Sequence, residues 1–123
     1  MLINKLDHEE CVLGYAIANY TTTAAKAISM LSPDDMSTGG TKWLLSAIKR
    51  VASKGQPVDL ITIVTERRIA ERENIIPSVC TFAWLVEIAK NSNGANIETR
   101  AKIIRANSAM RLAVEKIDSV KAE

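Results

Sequence analysis

Apolar residues recur along most of this chain at the three-to-four-residue spacing of an amphipathic helix, and polar caps, Gly and Pro cut the pattern into segments. Leu6-Asp7-His8-Glu9-Glu10-Cys11 reads as a helix entrance. Asp7 caps, Glu10 at the third helical position reaches back, and Leu6 staples onto Cys11. The first helix then runs from near His8 to near Asn19, with Val12, Tyr15 and Ala16 on one face and Gly14 beside them, where a missing side chain admits another backbone. A short helix is expected over 24–31. Ser32-Pro33-Asp34-Asp35 opens a helical turn, with Pro33 at its first position and two carboxylates on the positive end of the dipole. Thr38-Gly39-Gly40 breaks that turn. Leu44, Ala47, Ile48 and Val51 define a helix over 41–54, which Gly55 and Pro57 stop. Residues 58–64 are β-branched and apolar like a strand, yet Asp59 is placed to cap and Leu60, Ile63, Val64 and Arg67 share a helical face. Asn74 and Pro77 punctuate. A helix over 79–90 carries Phe82, Leu85, Val86 and Ala89, and Asn91-Ser92-Asn93-Gly94 forms a loop.

The last segment has a different pattern. From Asn96, read as a cap, the chain reaches Glu123 without Gly or Pro, and Ile103, Ala106, Met110, Ala113, Ile117 and Val120 are spaced as a heptad seam. A helix of this length measures about 38 Å, longer than the preceding globule is wide, so part of it projects and needs a partner. The plain alternative is that it lies across the other helices. The expected architecture is all-α: a compact bundle of about five short helices over 1–95, followed by a long C-terminal helix over 96–123 that ends still in helical register, as if within a longer element.

Charge and candidate chemistry narrow the function. Net charge is +2, with 6 basic and 6 acidic residues up to Leu60 and 10 and 8 after it, so neither half is a basic arm and strong direct nucleic-acid binding is not expected. Cys11 and Cys80 make no disulfide framework, and no apolar run is long enough to span a bilayer. A cytoplasmic location follows. Ser37-Thr38-Gly39-Gly40-Thr41-Lys42 lacks the Gly-Lys-Ser/Thr ending of a phosphate-binding loop. The lone His8 has no second ligand at metal spacing and reads as solvated, and Asp34 and Asp35 diverge by about 100° around a helix. No catalytic, cofactor or metal residue is assigned. Arg67, Arg68 and Arg72 are interleaved with Glu66, Glu71 and Glu73 and read as paired surface. Arg100, Lys102, Arg105 and Arg111 are less diluted, and form a possible contact surface for phosphate or an acidic protein, without aromatic residues to stack on bases.

Several stretches together resemble the N-terminal domain of DnaB-type replicative DNA helicases. They are His8-Glu9-Glu10-Cys11-Val12-Leu13-Gly14, then Gly55-Gln56-Pro57-Val58-Asp59-Leu60-Ile61-Thr62-Ile63, then Phe82-Ala83-Trp84-Leu85-Val86-Glu87-Ile88-Ala89-Lys90-Asn91, and finally Asn96-Ile97 with Ala101-Lys102-Ile103-Ile104. The resemblance implies a helical globule followed by the first arm of a dimerisation hairpin. It also implies self-association as a dimer or hexamer collar, and docking of a DnaG-type primase or a helicase loader. ATP and Mg²⁺ would belong to a C-terminal ATPase domain that this chain does not include. The chain departs from the family pattern at Asp35-Met36-Ser37, Trp43-Leu44 and Thr99-Arg100, where aromatic residues or His are common.

Under this reading Trp84 and the seam from Ile103 to Val120 are the contact residues, as apolar anchors ringed by charge. Two other readings stand beside it. One is a free-standing phage or plasmid adaptor that binds a helicase or primase; the other is a helix-turn-helix DNA binder using the Arg67-Arg68-Arg72 helix.

Overall fold

Each of the first five α-helices starts behind an Asp or Thr whose side chain accepts the backbone N–H three residues on, which satisfies one of the donors a helix start leaves open. Asp7 accepts from Glu10 at 2.8 Å, Thr21 from Ala24 at 3.1 Å, Thr38 from Thr41 at 3.2 Å, Asp59 from Thr62 at 2.9 Å and Thr81 from Trp84 at 3.1 Å. The computed structural model describes the backbone of residues 6–122 and the side chains of residues 6–117. Its helices are α1 His8–Ala18, α2 Thr22–Ser29, α3 Gly39–Ser53, α4 Leu60–Arg72, α5 Phe82–Asn91 and α6 Ile97–Ala122, with a 3₁₀ turn at Pro33–Asp35. No strand occurs among the described residues.

Three boundaries differ from the sequence expectation, for one reason: a threonine hydroxyl caps where composition suggests a loop. α2 begins at Thr22 behind Thr21. α3 takes in Gly39 and Gly40, because Thr38 starts the helix and Gly40 lies where a Cβ would come within 2.4 Å of Val79 Cγ1. α5 begins only at Phe82, behind Thr81. Phe82 itself is 54% exposed, and Leu85 and Ile88 take the core positions instead. The stops follow expectation more closely. Gly55 (φ 72°) and Asn74 (φ 59°) stand in the left-handed region after α3 and α4. In each case the next N–H closes onto the helix: Gln56 donates to Val51 and Ile75 to Ala70.

α1 is the central element. Cys11 to Gly14, Ala16 and Ile17 are all buried, so it is apolar nearly all round rather than along one stripe. It packs against α5, α6, α2 and α3. Gly14 permits the α5 crossing: a Cβ there would stand 2.2 Å from the Ile88 carbonyl oxygen. Leu44, Leu45, Ile48 and Val51 of α3 and Ile63 of α4 close the core from the other side.

The core runs across the boundary between residues 1–95 and 96–123, because Ile97, Ala101 and Ile104 belong to it and Ser108 is buried beside them. Asn96 precedes α6 with φ 57°, a conformation asparagine tolerates, and its carbonyl accepts the Arg100 N–H at 2.9 Å. The start of α6 therefore rests on backbone geometry at Asn96, not on the extended cap conformation seen before the other helices. The first half of α6 lies on α1, α2 and the 3₁₀ turn, and Arg111 Nη2 donates to the Asp35 carbonyl at 3.0 Å. From Leu112 to Ile117 every residue is exposed.

Candidate functional site

One helix carries two opposed apolar faces. Ile97, Ala101, Ile104 and Ser108, spaced four, three and four, turn into the globule. The seam residues stand on the other side: Ile103 is half-buried, Ala106 and Ala113 are exposed, Met110 is 69% exposed and Ile117 55%. Val120 continues the register, but its side chain lies outside the described residues. Val114, 55% exposed, joins Met110 along a shallow groove with Asn107, Arg111 and Glu115. Exposed apolar side chains in a continuous line mark an interaction surface more strongly than scattered ones do.

Trp84 is not part of that line. It is half-buried on α5, where its indole Nε1 donates to Glu10 Oε2 at 3.1 Å. It borders a cleft of about 420 Å³ whose walls include Asp7, Glu10, Gly40, Pro77 and Val79. Glu10 thus serves the indole, not the reciprocal cap suggested by its spacing from Asp7. The basic residues of α6 also separate. Arg100 Nη1 lies 3.2 Å from His8 Nδ1 and its Nε donates to the Ala95 carbonyl, and Arg111 holds the Asp35 carbonyl. Lys102 and Arg105 are exposed. His8 is accordingly half-buried against Arg100, not freely solvated.

Three carboxylates organise the globule in ways the sequence only partly signals. Glu9 Oε1 accepts both the Ser37 N–H at 2.9 Å and the Thr41 hydroxyl at 2.7 Å. A carboxylate therefore already sits at the start of α3, the segment that superficially resembles a phosphate loop, and would repel an incoming phosphate. Glu66 is buried and accepts from Arg50 Nε at 3.2 Å with Lys54 Nζ at 3.6 Å, tying α4 to α3. The sequence reading of Glu66 as solvated surface paired with the arginines of its own helix is thereby corrected: Glu66 shares the inward face of Ile63 and Ala70, so its partners come from α3. The contacts of Glu9 and Glu10 span 28 to 74 residues, and no local pattern reveals them.

Arg67 of α4 pairs with Glu71 at 3.0 Å and donates through Nε to the Cys80 carbonyl at 2.8 Å. Of the three α4 arginines, Arg67 is thus engaged with the protein's own backbone, while Arg68 and Arg72 are exposed. Both cysteines are buried and free, the thiol of Cys11 on the Asn93 carbonyl and that of Cys80 on the Gly40 carbonyl. Burial pushes the Cys80 thiol up to about 11 from an ordinary 9.0, against the opposing pull of Arg67. A thiol so placed is a poor nucleophile. Among the described residues no group of His, Cys, Asp and Glu is arranged to hold a metal ion, and no helix is long and apolar enough to cross a membrane.

Fold and surface together define an all-α domain: a helical globule with an exposed apolar line along one face of a long helix. The chain belongs to the family of DnaB-like helicase N-terminal domains, whose profile matches residues 1–106. It is 28% identical over 115 residues to the replicative DNA helicase DnaB of Geobacillus stearothermophilus, covering 94% of this chain and 25% of that protein. It is 30% identical over 107 residues to the replicative DNA helicase DnaC of Bacillus subtilis, covering 86% and 23%. The chain thus spans about a quarter of the length of these curated relatives. The crystal structure of the N-terminal domain of DnaB helicase from Mycobacterium tuberculosis superposes with a TM-score of 0.79 at 21% identity, covering 94% of this chain and 81% of that one. The two share a fold.

Proposed function

We propose that this chain is the N-terminal assembly and docking domain of a replicative DNA helicase, non-catalytic by itself, with ATP-driven unwinding carried by a separate ATPase region of the parent protein. The observation that carries this reading is the exposed apolar line on α6, which a domain acting alone would have no reason to keep in water. Copies of the chain associate through Ile103, Ala106, Met110, Ala113, Ile117 and Val120, with the outer part of α6 as one arm of a dimerisation hairpin. Trp84, beside its acidic cleft, receives the second partner, a DnaG-type primase or a helicase loader. Lys102 and Arg105 are the basic residues available for such contacts. The role fits a cytoplasmic location and needs no cofactor in this chain.

Met110→Asp tests the assembly reading. Met110 is 69% exposed, so the fold is expected to stand, with an unfolding midpoint close to that of the parent chain. Burying a carboxylate among apolar side chains is strongly unfavourable, so self-association measured by analytical ultracentrifugation is expected to disappear. Unchanged sedimentation of the variant would remove α6 as the assembly surface.

A further inference from the structure

The connection between α5 and α6 carries a reactive pair of residues. An asparagine amide is open to attack by the backbone nitrogen of the residue that follows it, and a side chain on that residue obstructs the approach. Glycine has none, and its free φ and ψ let the nitrogen swing in. Of the seven asparagines in the chain, Asn93 alone precedes a glycine; the others precede Lys, Tyr, Ile or Ser.

The fold leaves this pair free to react. Asn93 and Gly94 are both exposed, in the non-helical stretch between Asn91 and Ile97. Among the described residues the Gly94 N–H has no hydrogen-bond partner, and neither has the Asn93 Nδ2. Other asparagines are better guarded. Behind Asn74 the Ile75 N–H is held by the Ala70 carbonyl at 3.0 Å, and behind Asn107 Ser108 is buried within α6. The Asn93 Oδ1 accepts the Ala95 N–H at 3.0 Å. That donor draws charge from Cγ and stands where the oxygen turns negative during attack.

We propose that Asn93 is a site of self-modification in the folded chain, converted through a cyclic imide to aspartate and isoaspartate. The Gly94 nitrogen bonds to Asn93 Cγ, the Cγ–Nδ2 bond breaks, and Nδ2 leaves as ammonia with the proton that the nitrogen gave up. Water then opens the ring, its hydroxyl adding to one of the two ring carbonyls and its hydrogen returning to the Gly94 nitrogen. Opening at Cγ leaves aspartate; opening at the former backbone carbonyl leaves isoaspartate. No oxidant or reductant enters. In isoaspartate the main chain runs through the side chain, one methylene longer, and the former backbone carbonyl becomes a free carboxylate. That carbonyl is the one to which the Cys11 thiol donates at 3.6 Å, and Gly94 lies so close to Tyr15 that a Cβ would come within 2.7 Å of its ring. Conversion therefore lengthens the chain where it is seated on α1, and displaces the start of α6.

The whole chain is incubated in mildly alkaline buffer, folded and in urea, and mapped by peptide mass spectrometry. Isoaspartate is counted by methyl transfer from labelled S-adenosylmethionine with an isoaspartyl methyltransferase. In the folded chain, acid is expected to accumulate at Asn93 while the other asparagines remain amides. Asn93→Ser, whose hydroxyl can still accept the Ala95 N–H, is expected to lose methyl acceptance altogether. Cys11 is expected to gain reactivity toward a thiol reagent in step with isoaspartate, with Cys80 still unlabelled, and to stay shielded in Asn93→Ser. Conversion of Asn93 only in urea, or in the folded chain at no more than the pace of Asn91 or Asn107, overturns the proposal. Conversion that leaves Cys11 shielded overturns the displacement of α6.

Discussion

Gly14 sits where two helices come closer than any side chain allows. Its hydrogen is the only group that fits under the Ile88 carbonyl, so Gly14→Ala forces α5 away from α1 or bends it. The expected loss is at least about 2 kcal/mol of stability, read as a lower urea midpoint with unchanged helicity. Cys80 gives a second test at this scale. Its protonated form is favoured by burial, so its contribution to stability is complete below pH 9.0 and is lost as pH rises toward 11. Urea midpoints over that interval are expected to fall more steeply for the parent chain than for Cys80→Ala. In the folded chain at pH 8 a thiol reagent is expected to leave Cys80 unlabelled until denaturant is added. Glu66 is the buried acidic residue at this scale, and Arg50 and Lys54 reach it from the neighbouring helix, so removing either partner leaves it less well paired.

At the scale of elements, the caps determine where helices begin. Asp59 accepts the Thr62 N–H, and the Thr62 hydroxyl in turn accepts the Asp59 N–H at 3.1 Å, so Asp59→Ala removes the side-chain half of a reciprocal pair and keeps the backbone half. It is expected to cost about 1 kcal/mol, measured by thermal or urea unfolding, without changing the association state. This pair also explains why a β-branched run, Leu60 to Val64, is helical: the local signal at its start outweighs the strand preference of its interior. That signal was readable in the sequence, as were the stops at Gly55 and Asn74 and the close approach at Gly14. The threonine caps at Thr21, Thr38 and Thr81 were present but masked by neighbouring glycines and polar residues. Phe82 was misplaced because an apolar periodicity does not say which of two neighbouring faces meets the core; Leu85 and Ile88 win through the crossing at Gly14. The positions of Glu9, Glu10 and Trp84 depend on contacts between distant segments and could not be read locally.

At the scale of the whole molecule, α6 presents two different faces. Its inner face completes the globular core and its outer face continues past the globule, so an exposed apolar line on α6 was legible in the heptad spacing, while the separate position of Trp84 on α5 was not. The Met110→Asp variant exploits this division, since it alters the outer face and leaves Ile97, Ala101 and Ile104 untouched. The same continuity has a mechanical side. From Ile97 to Ala122 there is neither Gly nor Pro to act as a hinge. A sideways load on the far end therefore is not absorbed by bending; the helix behaves as a lever. Its fulcrum is the short stretch from Ile97 to Arg111, and the torque is delivered to α1, α2 and the turn at Asp35.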